Sequence, residues 1–84
     1  MFIKIKNKAN LLTELKKHKG KQFVIHYICL NCDDSQVTDW LEIEDWMIDS
    51  FIKEDCLYVS YPCTNCGYPE KFLRIDNIEG IELE

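Results

Sequence analysis

Four cysteines carry the clearest chemistry in this chain. They fall in two pairs, Cys29-Leu-Asn-Cys32 and Cys63-Thr-Asn-Cys66, separated by residues 33–62. A thiolate is a soft, anionic ligand, and two CxxC pairs at such a separation can close on one tetrahedral metal ion. The predicted ligand set is therefore Cys29, Cys32, Cys63 and Cys66, holding one structural Zn²⁺, with iron as the alternative metal. Four sulfur ligands complete the coordination and leave no open position for substrate, so the chemistry expected is structural. Four thiolates around one divalent cation would add a charge of about −2 to the site.

Each pair must be aimed by its flanks. The run Phe23-Val-Ile-His-Tyr-Ile28 is β-branched and aromatic, which predicts a central strand ending at the first pair. Leu57-Tyr-Val-Ser-Tyr61 predicts a strand entering the second pair, and Phe72-Leu-Arg-Ile75 a strand leaving it. A tight turn after a strand points two sulfurs at one spot and turns backbone N–H groups toward them. Gly67, directly after Cys66, suits a turn that needs positive φ.

The rest of the chain frames these turns. Phe2-Ile-Lys-Ile-Lys6 alternates, which predicts a half-buried strand with Lys4, Lys6 and Lys8 on its outer face. Residues 10–19 predict a helix capped by Asn7 or Asn10, with Leu11, Leu12 and Leu15 inward and Gly20 as its stop. Residues 37–43 are expected as a strand with Val37, Asp39, Leu41 and Ile43 on one face, and residues 45–54 as a helix. Ile81 and Leu83 are expected in a short last strand at an edge. The fold class predicted is α+β: a small antiparallel sheet with metal-binding knuckles, one N-terminal helix and one helix inserted between the cysteine pairs, all in a single domain over 1–84.

The residues Cys29, Cys32, Cys63, Cys66 and Gly67, with the strand–turn–strand run from Leu57 to Ile75, resemble the zinc-ribbon families. That likeness covers about half the chain and implies a fold element more than an activity. The segment Cys63-Thr-Asn-Cys66-Gly67-Tyr-Pro-Glu-Lys-Phe72 is also similar to a rubredoxin knuckle, which implies one iron and electron transfer. Two positions depart from the rubredoxin pattern: Asp33 follows Cys32 where glycine is usual, and Thr64 follows Cys63 where proline is usual.

Other residues are expected to be structural. His26 lies three residues before Cys29 and reads as a strand histidine facing away from Tyr27. Cys56, the fifth cysteine, reads as a small buried residue at the start of a strand. Trp40 and Trp46 read as core, and as hot-spot candidates if exposed. No Gly-rich phosphate loop, HExxH motif or nucleophile–histidine pair emerges, so no enzyme is expected.

Charge is polarised along the chain. The net charge is −5, yet residues 1–22 hold seven Lys against Glu14, and residues 33–55 hold nine acids against Lys53. The function expected is a non-enzymatic zinc-ribbon binding or adaptor module acting through a protein partner, in one form an acidic inhibitor of a nucleic-acid-binding protein. The alternatives are nucleic-acid binding through Lys4, Lys6, Lys8, Lys16 and Lys17, and a rubredoxin-like iron carrier. The N-terminus has no continuous apolar region, and no apolar stretch approaches about 18 residues, so neither a signal peptide nor a membrane span is expected. A reducing cytoplasm, where paired CxxC motifs favour metal over disulfide, is the expected location.

Overall fold

The computed structural model describes residues 1–84, Glu70 by its backbone alone. The fold is α+β. Strands β1 (Phe2–Lys4), β2 (Gln22–Ile28), β3 (Ser35–Val37), β4 (Leu41–Glu42) and β9 (Ile78–Leu83) form an antiparallel sheet. Helices α1 (Lys8–Lys17) and α2 (Asp45–Glu54) contribute Leu11, Leu15, Met47, Ile48 and Phe51 to one core with Phe23, Ile25, Tyr27 and Ile81 of the sheet. Two short pairs complete the architecture: β5 (Cys56–Leu57) with β8 (Leu73–Arg74), and β6 (Tyr61–Pro62) with β7 (Pro69–Glu70).

Local chemistry sets the helix limits. The Asn7 side chain caps α1 by accepting the Asn10 N–H at 2.8 Å, so the helix starts two residues earlier than expected. Asn10 then lies in the first turn, where its Oδ1 accepts the Lys6 N–H. Helix α2 occupies the predicted 45–54 and ends on Asp55 at φ 57°, in the left-handed region. Lys8 reaches Asp55 at one end of the helix pair and Lys19 reaches Asp45 at the other, so α1 and α2 run antiparallel. The basic and acidic blocks therefore meet partly within the chain. Both ion pairs are exposed and contribute about 0–1 kcal/mol each.

The last strand is the main topological correction. β9 is interior, pairing with β1 on one side and β2 on the other. Its apolar residues Ile78, Ile81 and Leu83 are buried, and an edge position would have left one row of its backbone groups unpaired. Gly80 is needed here because the Phe2 ring crosses it. A Cβ at Gly80 would overlap Phe2 and stand 2.6 Å from the Ile3 carbonyl oxygen.

The segment predicted as a strand over 37–43 is a strand broken by a bulge. β2 pairs with β3 through His26–Val37 and with β4 through Phe23–Leu41. Between those pairs Val24 and Ile25 face three residues, Thr38, Asp39 and Trp40. The buried Thr38 hydroxyl takes over a ladder position, accepting the Ile25 N–H at 3.0 Å. The extra residue switches the alternation. Gln36 and Thr38 point inward before it, Ile43 is buried after it, and Val37, Asp39 and Trp40 are exposed. The four residues expected on one face thus divide between two.

Replacing Gly80 by Ala is expected to destabilise the fold by about 2 kcal/mol, because the Ile3 carbonyl is backbone and cannot swing away. Urea unfolding with metal kept saturating measures this; an unchanged midpoint would remove the close-packing argument.

Candidate metal centre

The four predicted cysteines come together. Their sulfur atoms all lie within 4.8 Å of one another. Cys29 and Cys63 are buried, Cys32 is half-buried and Cys66 is exposed. Cys29 Sγ stands 3.7 Å from Cys66 Sγ, and Cys32 Sγ stands 3.7 Å from Cys63 Sγ. Those separations are far beyond a disulfide bond. They match the edge of about 3.8 Å that a tetrahedron with metal–sulfur bonds of about 2.3 Å would have. The donor set fits a thiophilic tetrahedral ion such as zinc or iron.

The two cysteine turns are near copies of each other. In the first, Cys29 N–H donates to the Asp34 carbonyl at 2.9 Å and Asp33 N–H donates back to the Cys29 carbonyl at 3.0 Å. In the second, Cys63 N–H donates to the Tyr68 carbonyl at 3.0 Å and Gly67 N–H to the Cys63 carbonyl at 2.9 Å. The residue after each second cysteine has positive φ, 60° at Asp33 and 76° at Gly67. Asp33, which departs from the usual glycine, adopts the conformation the turn requires. Aspartate is among the few side chains that enter this region readily.

The middle asparagines were not singled out from the sequence, although both pairs read Cys-x-Asn-Cys. Each backbone N–H donates to the first sulfur of its own turn: Asn31 to Cys29 and Asn65 to Cys63, both at 3.4 Å. Each side-chain amide crosses to the other turn. Asn31 Nδ2 lies 3.5 Å from Cys66 Sγ, and Asn65 Nδ2 lies 3.5 Å from Cys32 Sγ. These reciprocal donors place positive N–H dipoles against sulfur charge and join the two turns. Repetition of Asn at the same place in both motifs was the available signal.

Thr64 has an equally local reason. Its N–H and its hydroxyl both donate to the buried Gln36 side-chain oxygen, at 3.2 and 2.9 Å. A proline at that position could not supply the N–H. Gln36 belongs to β3, so this contact ties the second turn to the main sheet. Asn77 ties the first, donating from Nδ2 to the Ile28 carbonyl at 3.3 Å.

Electrostatics differ across the cluster. The Cys66 thiol is lowered to about 6, first by the Asn31 amide and then by the Tyr68 N–H, which outweigh desolvation. At Cys29 the N–H groups of Cys32 and Asn31 favour the thiolate, but burial and the Cys63 and Cys32 sulfurs outweigh them and push it up to about 11. Adjacent sulfurs resist sharing several negative charges until a cation stands among them.

The other candidates lie apart from the cluster. His26 faces outward, with Nε2 3.0 Å from Glu82 Oε1 and the Phe2 ring edge-on to its imidazole. Cys56 is buried at the start of β5, where its carbonyl accepts the Ser50 hydroxyl at 2.6 Å. Among the described residues, no helix is long and apolar enough to cross a membrane. Compared with models of known families, with curated proteins and with solved structures, the chain finds no match.

Substituting Asn31 or Asn65 with Ala is expected to weaken metal binding about 10-fold each, the usual scale for groups that hydrogen-bond to ligands. Chelator competition measures this, and wild-type affinity in both variants would reduce the crossed amides to packing. Affinity is also expected to fall with pH, because each ligand must lose its proton. Below about pH 6 the dependence should steepen by one proton per metal as Cys66 takes up its own. Gly67→Ala should cost about 1 kcal/mol through backbone strain alone, since an added Cβ would meet nothing within 4 Å.

Proposed function

We propose that Cys29, Cys32, Cys63 and Cys66 hold one structural zinc ion and that the chain is a non-enzymatic, zinc-ribbon-type binding module acting through a protein partner. The observation that carries this reading is the closed sulfur cluster. Its four sulfurs lie within 4.8 Å of one another, two of the pairs at 3.7 Å, its turns are braced by N–H donors, and further ties run to the sheet. Such a site stiffens a small domain and offers no vacant coordination position. A structural zinc can contribute on the order of 10 kcal/mol to folding.

Charge supports a protein partner over a nucleic acid. The net charge of −5 opposes phosphate, and two of the seven N-terminal lysines, Lys8 and Lys19, are held by Asp55 and Asp45. One specific form of the module is an acidic inhibitor that occupies the basic surface of a nucleic-acid-binding protein. A second reading rests on Lys4, Lys6, Lys16 and Lys17, which are exposed and form no ion pair among the described residues. It requires binding to oligonucleotides that falls steeply with salt and is lost in Lys4→Glu/Lys6→Glu.

Metal analysis of the purified chain is expected to find one zinc per molecule, and Cys29→Ser or Cys63→Ser to unfold it or lower Tm sharply. A coloured, iron-loaded protein from cells supplied with both metals would favour electron transfer instead. Affinity capture from the native cell at moderate salt should recover a specific protein. No partner, together with turnover in an activity screen, would defeat the module reading.

A further inference from the structure

We infer that Cys66 is an oxidative modification site, and that its reaction with a hydroperoxide closes a Cys29–Cys66 disulfide across the two turns, with Cys32–Cys63 closing after it. This deepens the structural-metal reading and rests on it, because sulfurs joined in disulfides no longer hold the ion. Access selects the first sulfur. Cys29 and Cys63 are buried, Cys32 is half-buried and Cys66 is exposed. Metal ligands are thiolates, so all four are nucleophiles, and the one a peroxide can reach reacts first. The fifth cysteine, Cys56, is buried and lies outside the cluster.

Geometry selects the partners. Cys66 Sγ meets Cys29 Sγ at 3.7 Å in hydrogen-bonding geometry, and Cys32 Sγ meets Cys63 Sγ in the same way. Both contacts cross from one turn to the other, between residues 37 and 31 apart in sequence. Disulfides at these contacts keep the two turns joined once the ion has left, and they constrain the unfolded chain through long loops. Disulfides inside Cys29-Leu-Asn-Cys32 and Cys63-Thr-Asn-Cys66 would close only short loops and leave the turns unlinked.

Each disulfide consumes one hydroperoxide. The Cys66 thiolate attacks a peroxide oxygen, the O–O bond breaks and hydroxide leaves, giving a sulfenic acid. The Cys29 thiolate then attacks the Cys66 sulfur, the S–O bond breaks, and a second hydroxide leaves as the S–S bond forms. The two sulfurs together lose two electrons, the peroxide gains two, and both hydroxides take protons from solvent. Half of the ligand set is then gone, and a second hydroperoxide converts Cys32 and Cys63 by the same steps.

The test treats the zinc-loaded wild-type chain with hydrogen peroxide, first at one equivalent and then in excess. Dimedone traps sulfenic acid, alkylation blocks the remaining thiols, mass spectrometry maps the disulfides, and a chromogenic chelator reads the zinc released. Dimedone should label Cys66, Cys29–Cys66 should be the first disulfide, and zinc should be released in proportion to it. Excess peroxide should add Cys32–Cys63, and the oxidised chain should melt above the reduced, metal-free one. Cys56→Ser should release zinc at the wild-type rate; a loss of the reaction in that variant would make Cys56 the reactive thiol and overturn the proposal. Labelling first at Cys29, Cys32 or Cys63, or disulfides confined to each CxxC pair, would overturn it as well. Zinc that stays bound in excess peroxide, with no disulfide formed, would refute this inference and leave the structural metal standing. A reduced chain that takes up no zinc would defeat the metal reading, and the order of disulfides would then decide the inference by itself.

Discussion

Four sulfur atoms gathered within 4.8 Å impose the strongest constraint on this molecule. They come from two turns far apart in sequence, and their charges repel unless a cation stands among them. The fold answers with duplication. Each turn uses the same backbone bonds, the same left-handed residue after its second cysteine and the same asparagine reaching across to the other. The crossed amides make neither turn complete alone. The low value at Cys66 and the high one at Cys29 express the same situation: N–H donors stabilise one negative charge, and further ones wait for a metal.

Placement of the turns depends on the sheet. β2 is its centre and runs directly into Cys29, while β6 and β7 frame the second turn as a separate small ribbon. Gln36 and Asn77 then fasten ribbon and strand end to the main body through buried or half-buried side-chain bonds. Burial of β9 between β1 and β2 supplies the core beneath. Two helices cover one face of that sheet. The other face carries the Phe2–His26 ring contact and the His26–Glu82 pair.

Much of this organisation was legible because its signals are local. Alternation and β-branching identified β2, the period of apolar residues identified both helices, and CxxC spacing identified the four cysteines that cluster. The bulge at Thr38–Trp40 was hidden. An extra residue in one strand is defined only against its partner, and nothing within residues 37–43 announces that Val24 and Ile25 must face three residues. The place of β9 was hidden for a similar reason. A short apolar strand reads alike at an edge or in the interior, and only the pairing with both β1 and β2 distinguishes them. The conformation of Asp33 was hidden as well, since glycine is the usual but not the sole residue able to take positive φ.

By itself the sequence determined which residues could bind a metal, the two helices and the opposition of charge between the chain's first quarter and its middle, because these follow from side-chain chemistry and spacing along the backbone. Tertiary structure decided which sulfurs face one another, which asparagine serves which cysteine, and that both tryptophans, expected in the core, are presented to solvent. Those outcomes depend on contacts between segments thirty or more residues apart, or on the register of one strand against another. Spacing within a segment carries no record of either.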